Sequence, residues 1–336
     1  MAKISVIGAG SWGIALARLL ALNGHEVNVW SIIQDEIDML TTNHEHLDKL
    51  PGVKLPESMT YTTDLEASVK DKDLLVLAVP SPFTRSTSKS MSGFVAKDQI
   101  IVNVAKGIEE ATMMTLSEII EQEIPQANVA VLSGPSHAEE VGKGMPTTCV
   151  VGAHDKKTAE YVQNLFMCDF FRVYTSPDIF GIELGASLKN VVALAAGIAD
   201  GLGCGDNAKA ALITRGIAEI SRLGVTMGGK PETFAGLSGI GDLIVTCASM
   251  HSRNRRAGIL IGQGKTMKEA MDEVKMVVEG VYSAKAALKL SQKYNIEMPI
   301  IEQVNAVLFD DKPAKEALAD LLTRDKKSEI SAPEWK

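Results

Sequence analysis

The first thirty residues contain the sequence feature that most restricts the fold. A short β-branched run, Lys3 to Ile7, leads into the glycine-rich segment Gly8-Ala9-Gly10-Ser11-Trp12-Gly13. The apolar stretch Ile14 to Asn23 follows, and then a second β-branched run, Glu26 to Trp30. This order of strand, G-x-G-x-x-G, helix and strand is typical of a dinucleotide-binding βαβ unit.

The three glycines of that segment have separate predicted functions. Gly8 permits the tight turn, Gly10 lets the backbone approach a pyrophosphate, and Gly13 lets the helix pack on the strand. The N-terminus of the helix offers unpaired N–H groups and the positive end of the helix dipole to phosphates. We therefore expect NAD or NADP to bind here.

The residues after the second strand do not identify which of the two cofactors is used. Trp30 is followed by Ser31, Ile32, Ile33 and Gln34, and acidic residues appear only at positions 35 and 36. An acidic residue at the strand end usually binds the ribose 2′-hydroxyl, and an arginine there accommodates a 2′-phosphate. Neither is present at the strand end itself, so the preference for NAD or NADP stays open.

Five further apolar or β-branched runs alternate with helical patterns in the first half of the chain. They are Asp73–Pro80, Ile100–Val104, Val129–Leu132, Thr147–Val151 and Phe170–Tyr174. Such alternation predicts a Rossmann-like, doubly wound, mostly parallel sheet. From Ile179 onward the patterns are helical, which predicts an all-α C-terminal part. We place a dinucleotide-binding domain at 1–178 and a helical substrate domain at 179–336.

Three of the predicted strands end in residues suited to phosphate. These ends are Val79-Pro80-Ser81, Lys106-Gly107 and Gly134-Pro135-Ser136. Ligands of doubly wound sheets lie beyond the carboxyl ends of the strands. A solvated lysine and an ordinary turn are the simpler explanations of Lys106 and of the Gly134 segment, but three such ends together favour a binding site.

One predicted helix, Ile182 to Asp200, is apolar nearly all round and contains Lys189 and Asn190. A helix that is apolar on every side is usually buried. Lys189 shares a face with small residues, including Gly185, so another element should pack closely there. The ammonium could still reach water by snorkelling. If it is desolvated instead, its pKa falls and it can accept a proton.

Two segments of the second half add candidate ligand groups. Asp242 ends a glycine-rich turn, where it could accept a hydrogen bond from a substrate or from Lys189, or cap the following helix. The segment His251–Arg256 is densely basic, and Ser252 can cap a helix that begins at Arg253. A cation in the first turn of a helix is unfavourable by itself, so a bound anion would explain Arg253 there.

Composition excludes several classes of protein. The chain has 336 residues and a formal net charge of −8, which argues against a nucleic-acid surface. We find no signal peptide and no uninterrupted apolar run that would span a membrane. The four cysteines are scattered and the six histidines lack metal-ligand spacing. We expect a cytoplasmic protein without a metal, acting on a small molecule.

These motifs, in this order, resemble the NAD(P)-dependent glycerol-3-phosphate dehydrogenase family, soluble bacterial type. The resemblance covers roughly residues 3–310 and includes, besides the segments above, Glu183-Leu-Gly185, Gly239-Ile-Gly-Asp242 and Val278-Glu-Gly280. It implies reversible hydride transfer between sn-glycerol 3-phosphate and dihydroxyacetone phosphate with NAD or NADP. It also implies a supply of glycerol 3-phosphate for phospholipid biosynthesis.

The resemblance also implies roles for individual residues. Lys189 would be the proton acceptor, with Lys106 beside it in the catalytic site. The implied cofactor-binding residues are Gly8, Gly10, Ser11, Trp12, Gly13, Lys106, Ala138, Arg253, Val277 and Glu279. The implied substrate-binding residues are Lys106, Gly134, Ser136, Lys189, Asn190, Asp242, Ser252, Arg253 and Asn254. The family often has basic residues just after the second strand, where Ile32 and Ile33 stand here. If NADP is the cofactor, Arg253 or another group would therefore have to bind its 2′-phosphate.

Two other functions remain as alternatives. One is a 3-hydroxyacid dehydrogenase of similar two-domain build, which also uses a lysine near an asparagine on the helix between its domains. The other is a non-catalytic dinucleotide sensor, which would need no proton acceptor. The sequence leaves open the oligomeric state, with a homodimer as one alternative, and the direction of net flux.

Overall fold

The computed structural model describes residues 1–329, and the first half of this range forms one eight-stranded sheet. The strands are β1 (Lys3–Ile7), β2 (Glu26–Trp30), β3 (Thr60–Thr62), β4 (Leu74–Leu77), β5 (Ile100–Asn103), β6 (Asn128–Ser133), β7 (Thr147–Ala153) and β8 (Phe171–Ser176). The helices between them are α1 (Ser11–Leu22), α2 (Gln34–Asn43), α3 (Leu65–Val69), α4 (Thr84–Met91), α5 (Leu116–Glu123), α6 (Ala138–Gly142) and α7 (Lys156–Phe166).

The strand order is β3-β2-β1-β4-β5-β6-β7-β8, and every neighbouring pair is parallel except β6 with β7. All four residues of β4 are buried, as expected for a strand covered by helices on both faces. The order reverses between β1 and β4, so a crevice opens beyond the carboxyl ends of these two strands. The predicted Rossmann-like fold class is therefore confirmed.

The later part of the described chain consists of helices joined by short turns. They are α8 (Ile179–Gly201), α9 (Gly205–Thr226), α10 (Pro231–Phe234), α11 (Asp242–Ala248), α12 (Arg253–Gly262), α13 (Met267–Val274), α14 (Glu279–Tyr294), α15 (Pro299–Phe309) and α16 (Ala314–Leu322). The sequence from Arg324 onward is charged and poor in large apolar residues, which predicts a frayed tail. Its positions 330–336 lie outside the described residues, while Arg324 and Lys327 form ion pairs with Glu297.

The long helix α8 lies at the centre of the helical part. It is apolar and long enough to cross a membrane, but 94% of its most apolar window is buried inside the protein. Asp178 begins it by accepting the N–H of Gly181 at 3.0 Å. One turn later, Glu183 accepts hydrogen bonds from Asn103 Nδ2 at 2.9 Å and from the backbone and side chain of Ser117. The carboxylate of Glu183 thus attaches α8 to the sheet.

Helices α8 and α12 approach each other through glycines. A Cβ on Gly197 would lie 2.2 Å from the carbonyl oxygen of Arg255, and one on Gly258 would lie 2.2 Å from that of Leu194. Gly201 and Gly262 repeat the contact one turn later. Because no side chain separates the two backbones, the start of α12 is held close to the middle of α8.

Substitution of Gly258 by alanine tests this contact. The added methyl group would lie 2.2 Å from the Leu194 carbonyl oxygen and 2.9 Å from Gly197 Cα, both in the backbone of α8. We therefore expect the free energy of unfolding to fall by about 1–3 kcal/mol. Urea denaturation measures the change. Gly93→Ala is the matched control, because nothing lies within 4 Å of its added Cβ. Equal stability of the two variants would contradict the close approach.

Candidate active site

A cleft of about 700 Å³ lies between the carboxyl edge of the sheet and the helical part. The strand ends line one side, with the glycine-rich turn after β1, Val79-Pro80 after β4 and Lys106 after β5. Helices α8, α11, α12 and α14 line the other side. A cleft of this size at the topological switch point is where a doubly wound fold binds its ligand.

The glycine-rich turn fits a dinucleotide. Gly8 has φ +121°, a conformation that other residues rarely adopt, and its Cβ would lie 2.9 Å from backbone atoms of Ala78. Gly13 has the Gly8 carbonyl oxygen 2.2 Å from the position of a Cβ, whereas Gly10 has open space around it. No side chain caps α1. Its first N–H groups are therefore free for a pyrophosphate.

Two lysines converge on one carboxylate at the deepest part of the cleft. Lys189 Nζ donates to Asp242 Oδ1 at 2.9 Å, and Lys106 Nζ donates to Asp242 Oδ2 at 2.6 Å. Lys189 also donates to Thr246 Oγ1 at 2.6 Å. The alternative that Lys189 snorkels to water is wrong, because the residue is only 4% exposed. Asp242 does not cap α11, since it lies inside the first turn and its carboxylate is taken by the two lysines.

Burial and neighbouring charges set the protonation states of Lys189 and Asp242. Burial lowers the pKa of Lys189 to about 8; Asp242 opposes the shift and Lys106 adds to it. Burial alone would raise the pKa of Asp242, but the charges of Lys106 and Lys189 outweigh that effect and lower it. At neutral pH the carboxylate is therefore ionised, and Lys189 can gain or lose a proton with little free-energy change.

Cationic and hydrogen-bonding groups that could bind a phosphate surround this centre. Lys106 Nζ also donates to the carbonyl oxygen of Gly134 at 3.0 Å and lies 3.5 Å from Ser136 Oγ. Ser252 caps α12 by accepting the N–H of Arg255 at 3.2 Å, as its place in the sequence predicted. Arg253 and Arg256 line the cleft. Arg255 does not, because its guanidinium binds Asp200.

Asn254 connects three helices. Its Nδ2 donates to Asn190 Oδ1 at 2.9 Å, and its Oδ1 accepts the N–H of Gly280 at 2.8 Å. The side chain thus ties α12 to α8 and to the start of α14. Nothing in the sequence pattern indicated this structural role, since the partners lie 64 and 26 residues away.

The remaining predicted cofactor residues lie along the same cleft, where Ala138 begins α6 and Val277 precedes α14. Glu279 reaches across to the sheet side, where it accepts hydrogen bonds from the backbone N–H and the hydroxyl of Ser81. Burial raises the pKa of Glu279, while Ser81 and the charge of Arg253 oppose the shift. This contact joins the two sides of the cleft at the turn that follows β4.

The cleft brings together nearly all the residues singled out in the sequence. Ser11, Trp12, Lys189, Asn190, Ser252 and Asn254 are among its lining residues. Sequence reasoning missed Thr246, which the i,i+4 spacing from Asp242 could have revealed. It also missed the ring pair His137 and His251, whose centroids lie 5.8 Å apart. Among residues 1–329 there is no cluster of side chains that could hold a metal.

Comparison with known proteins assigns a family to this arrangement. The family model described as NAD-dependent glycerol-3-phosphate dehydrogenase N-terminus matches residues 3–159, and the C-terminus model of the same family matches residues 178–319. The chain belongs to the NAD-dependent glycerol-3-phosphate dehydrogenase family. The resemblance inferred from the motifs is therefore confirmed.

Individual members of the glycerol-3-phosphate dehydrogenase family are similar over their whole length. The chain is 67% identical over 336 residues to the glycerol-3-phosphate dehydrogenase (NAD(P)+) of Agathobacter rectalis, covering 100% of both chains. It is 64% identical to that of Fusobacterium nucleatum, covering 99% of this chain and 100% of the relative. The crystal structure of glycerol-3-phosphate dehydrogenase from Coxiella burnetii superposes with a TM-score of 0.93 at 37% identity, covering 96% of this chain and 99% of that one.

The structural role of Asn254 gives a prediction that is independent of activity. Asn254→Ala leaves the Gly280 N–H and the Asn190 carbonyl group without buried partners, so we expect a loss of about 1–3 kcal/mol in the free energy of unfolding. Urea denaturation of Arg253→Ala is the control, since in residues 1–329 Arg253 makes no such buried bonds. If Arg253→Ala were destabilised as much as Asn254→Ala, the proposed tie between helices would be wrong.

Proposed function

We propose that the protein catalyses reversible hydride transfer between sn-glycerol 3-phosphate and dihydroxyacetone phosphate, with NAD or NADP as cofactor. The observation that carries the proposal is the buried Lys189, paired with Asp242 at the base of the cleft. Membership of the family and the names of the two bacterial relatives support the choice of substrate. The fit of the glycine-rich turn to a pyrophosphate supports the choice of cofactor.

Oxidation of a secondary alcohol needs a base for the hydroxyl proton and an acceptor for the hydride. The nicotinamide, when bound, supplies the hydride acceptor. Lys189 would take the proton, because its lowered pKa of about 8 leaves part of it neutral near physiological pH. In the reducing direction the protonated amine would donate a proton to the developing alkoxide and stabilise its charge. Thr246 and Asp242 hold the amine in place.

The substrate phosphate would lie at the N-terminus of α12. The N–H groups of that turn, the Arg253 guanidinium and Lys106 can share its charge. Gly134, Ser136, Asn190, Ser252 and Asn254 would complete the substrate site, as the family resemblance implies. The cofactor would contact Gly8, Gly10, Ser11, Trp12, Gly13, Lys106, Ala138, Arg253, Val277 and Glu279, which border the turn and the cleft. Fixing the phosphate would orient C2 toward the nicotinamide.

Several wider assignments belong to the same proposal. We propose a cytoplasmic enzyme that supplies glycerol 3-phosphate for phospholipid biosynthesis, in the way the family resemblance implies. We also propose domains at 1–178 and 179–336, supported by the last strand ending at Ser176 and α8 beginning at Ile179. A homodimer remains an alternative to a monomer. No observation in the described part favours a 3-hydroxyacid dehydrogenase or a sensor over the main proposal.

Replacement of Lys189 by methionine tests the proton-transfer role. Methionine keeps most of the buried volume and removes the amine, so we expect kcat with dihydroxyacetone phosphate to fall by roughly 10²–10⁴-fold. Binding of reduced cofactor, followed by fluorescence, should persist. Lys157→Met, at an exposed position, is the control and should keep full turnover. Near-normal turnover in Lys189→Met would end the assignment.

The pH dependence offers a second test. Glycerol 3-phosphate oxidation needs neutral Lys189, so kcat/KM should rise with pH through a midpoint near the pKa of about 8. Asp242 raises the pKa of Lys189. Asp242→Asn removes the negative charge that stabilises the Lys189 ammonium. The midpoint should therefore move to lower pH, whatever the maximal rate. A midpoint that stayed fixed or moved upward would contradict the coupling between the two groups.

A further inference from the structure

The end of β2 lies directly beside the glycine-rich turn. The N–H of Gly8 donates to the carbonyl oxygen of Trp30 at 2.9 Å. In dinucleotide-binding folds the residues that follow this second strand meet the adenosine ribose at its 2′-position. The chemistry of residues just after Trp30 therefore bears on whether a ribose 2′-hydroxyl or a 2′-phosphate is accepted.

A buried carboxylate, that of Glu36, lies beside the end of β2, although no acidic residue follows the strand directly. Ser31 Oγ donates to Glu36 Oε2 at 2.7 Å, and the N–H of Ile33 donates to Ser31 Oγ at 3.2 Å. Glu36 is only 9% exposed, in the first turn of α2. The turn folds back so that the Ser31 hydroxyl holds the Glu36 carboxylate beside the end of β2.

Within the described residues, both lysines of the segment that follows β2 are paired with carboxylates. Residues 31–66 contain eight acidic side chains, two lysines and no arginine. Lys49 pairs with Glu36, and Lys54 pairs with Glu45 at 2.8 Å. Arg18 of α1 reaches the segment, but its Nε is bound to the carbonyl oxygen of Lys54.

A histidine near the Glu36 carboxylate adds no positive charge to this edge. His46 Nε2 lies 3.9 Å from Glu36 Oε1 and the residue is 1% exposed. Burial lowers the pKa of His46, and the charge of Lys49 lowers it further, against the opposing charges of Glu36 and Asp48. His46 is therefore neutral at pH 7 and does not supply a positive charge for a phosphate.

The two residues beside the carboxylate are apolar and exposed. Ile32 is 79% and Ile33 is 47% exposed. Isoleucine side chains offer a flat apolar surface to an adenine ring but no hydrogen bond or charge to a phosphate. A 2′-phosphate carries close to two negative charges at neutral pH, so the Glu36 carboxylate beside it would repel it.

We propose that this chain binds NAD(H) in preference to NADP(H), and that Glu36, held by Ser31, sets the preference. The inference rests on the proposed function only in requiring that a dinucleotide binds in the cleft. Glu36 acts here by excluding the 2′-phosphate, and Lys49 is prevented from recognising it because the carboxylate holds it.

The test measures binding without the redox reaction. Titration calorimetry with ADP-ribose and with 2′-phospho-ADP-ribose, which lack nicotinamide, should give a dissociation constant at least about tenfold lower for ADP-ribose. Glu36→Gln should reduce the ratio of the two dissociation constants (2′-phospho-ADP-ribose over ADP-ribose) several-fold, because it removes the carboxylate charge and frees Lys49. Asp38→Asn, an exposed change one half-turn further along α2, is the matched control and should leave the ratio unchanged.

A second variant tests the proposal even if Glu36→Gln does not fold. Ile32→Arg places a cation on the exposed loop and should raise affinity for the 2′-phosphorylated ligand alone. Equal or tighter binding of 2′-phospho-ADP-ribose by the unaltered protein would overturn the proposal, as would an unchanged ratio in a folded Glu36→Gln. Selective ADP-ribose binding without turnover of dihydroxyacetone phosphate would support the preference and contradict the proposed function. Binding of neither ligand would contradict both.

Discussion

A single carboxylate, Asp242, receives an ammonium group from each side of the cleft. Lys106 comes from the end of β5 and Lys189 from the middle of α8, and each nitrogen takes a different oxygen of the carboxylate. Burying one lysine without a partner would be costly, and it would lose its proton entirely. With one carboxylate shared by two amines, the group keeps a net positive charge where a phosphorylated substrate would bind. The same sharing leaves Lys189 only partly stabilised as a cation, which suits it to exchange a proton.

The rest of the structure keeps these three groups together. Glu183 attaches α8 to β5 and α5 through Asn103 and Ser117, so the helix that carries Lys189 is fixed to the sheet that carries Lys106. The glycine contacts between α8 and α12 then bring the start of α12 beside the lysine. Asn254 locks that start to α8 and α14. A substitution far from Lys189 can therefore move the proposed phosphate site at the start of α12 relative to the proposed base, Lys189.

Much of this could be predicted from sequence because it depends on local patterns. The glycine spacing identified the turn after β1, the buried runs identified most strands, and the apolar helix around Lys189 indicated a buried amine. Ser252 was recognised as a cap because capping depends on residues three positions apart. The short edge strand β3 was missed, since Thr60–Thr62 has too few residues to give a periodic signal. The antiparallel direction of β7 was missed because strand direction leaves no mark on composition.

Long-range contacts explain the other omissions. Two roles were considered for Asp242, and only the folded chain, with Lys189 53 residues away, decides between them. In the sequence Glu183 is only one residue of a motif. The groups that donate hydrogen bonds to its carboxylate lie in α5 and β5, 66 and 80 residues away. Glu36 was set aside because it stands too far beyond β2, yet a hydrogen bond from Ser31 returns it to the strand end. In each case the decisive partner is distant or lies across a turn whose shape the sequence does not specify.

The most direct measurement of the central claim is the ionisation of Lys189 itself. In protein labelled with ¹³C at lysine Cε, the Lys189 signal can be assigned by its absence from the spectrum of Lys189→Met and followed through a pH titration. The account predicts a midpoint near the pKa of about 8, well below that of the exposed lysines. A Lys189 signal that titrates together with the exposed lysines would contradict it, because the amine would then be too basic to accept a proton at physiological pH.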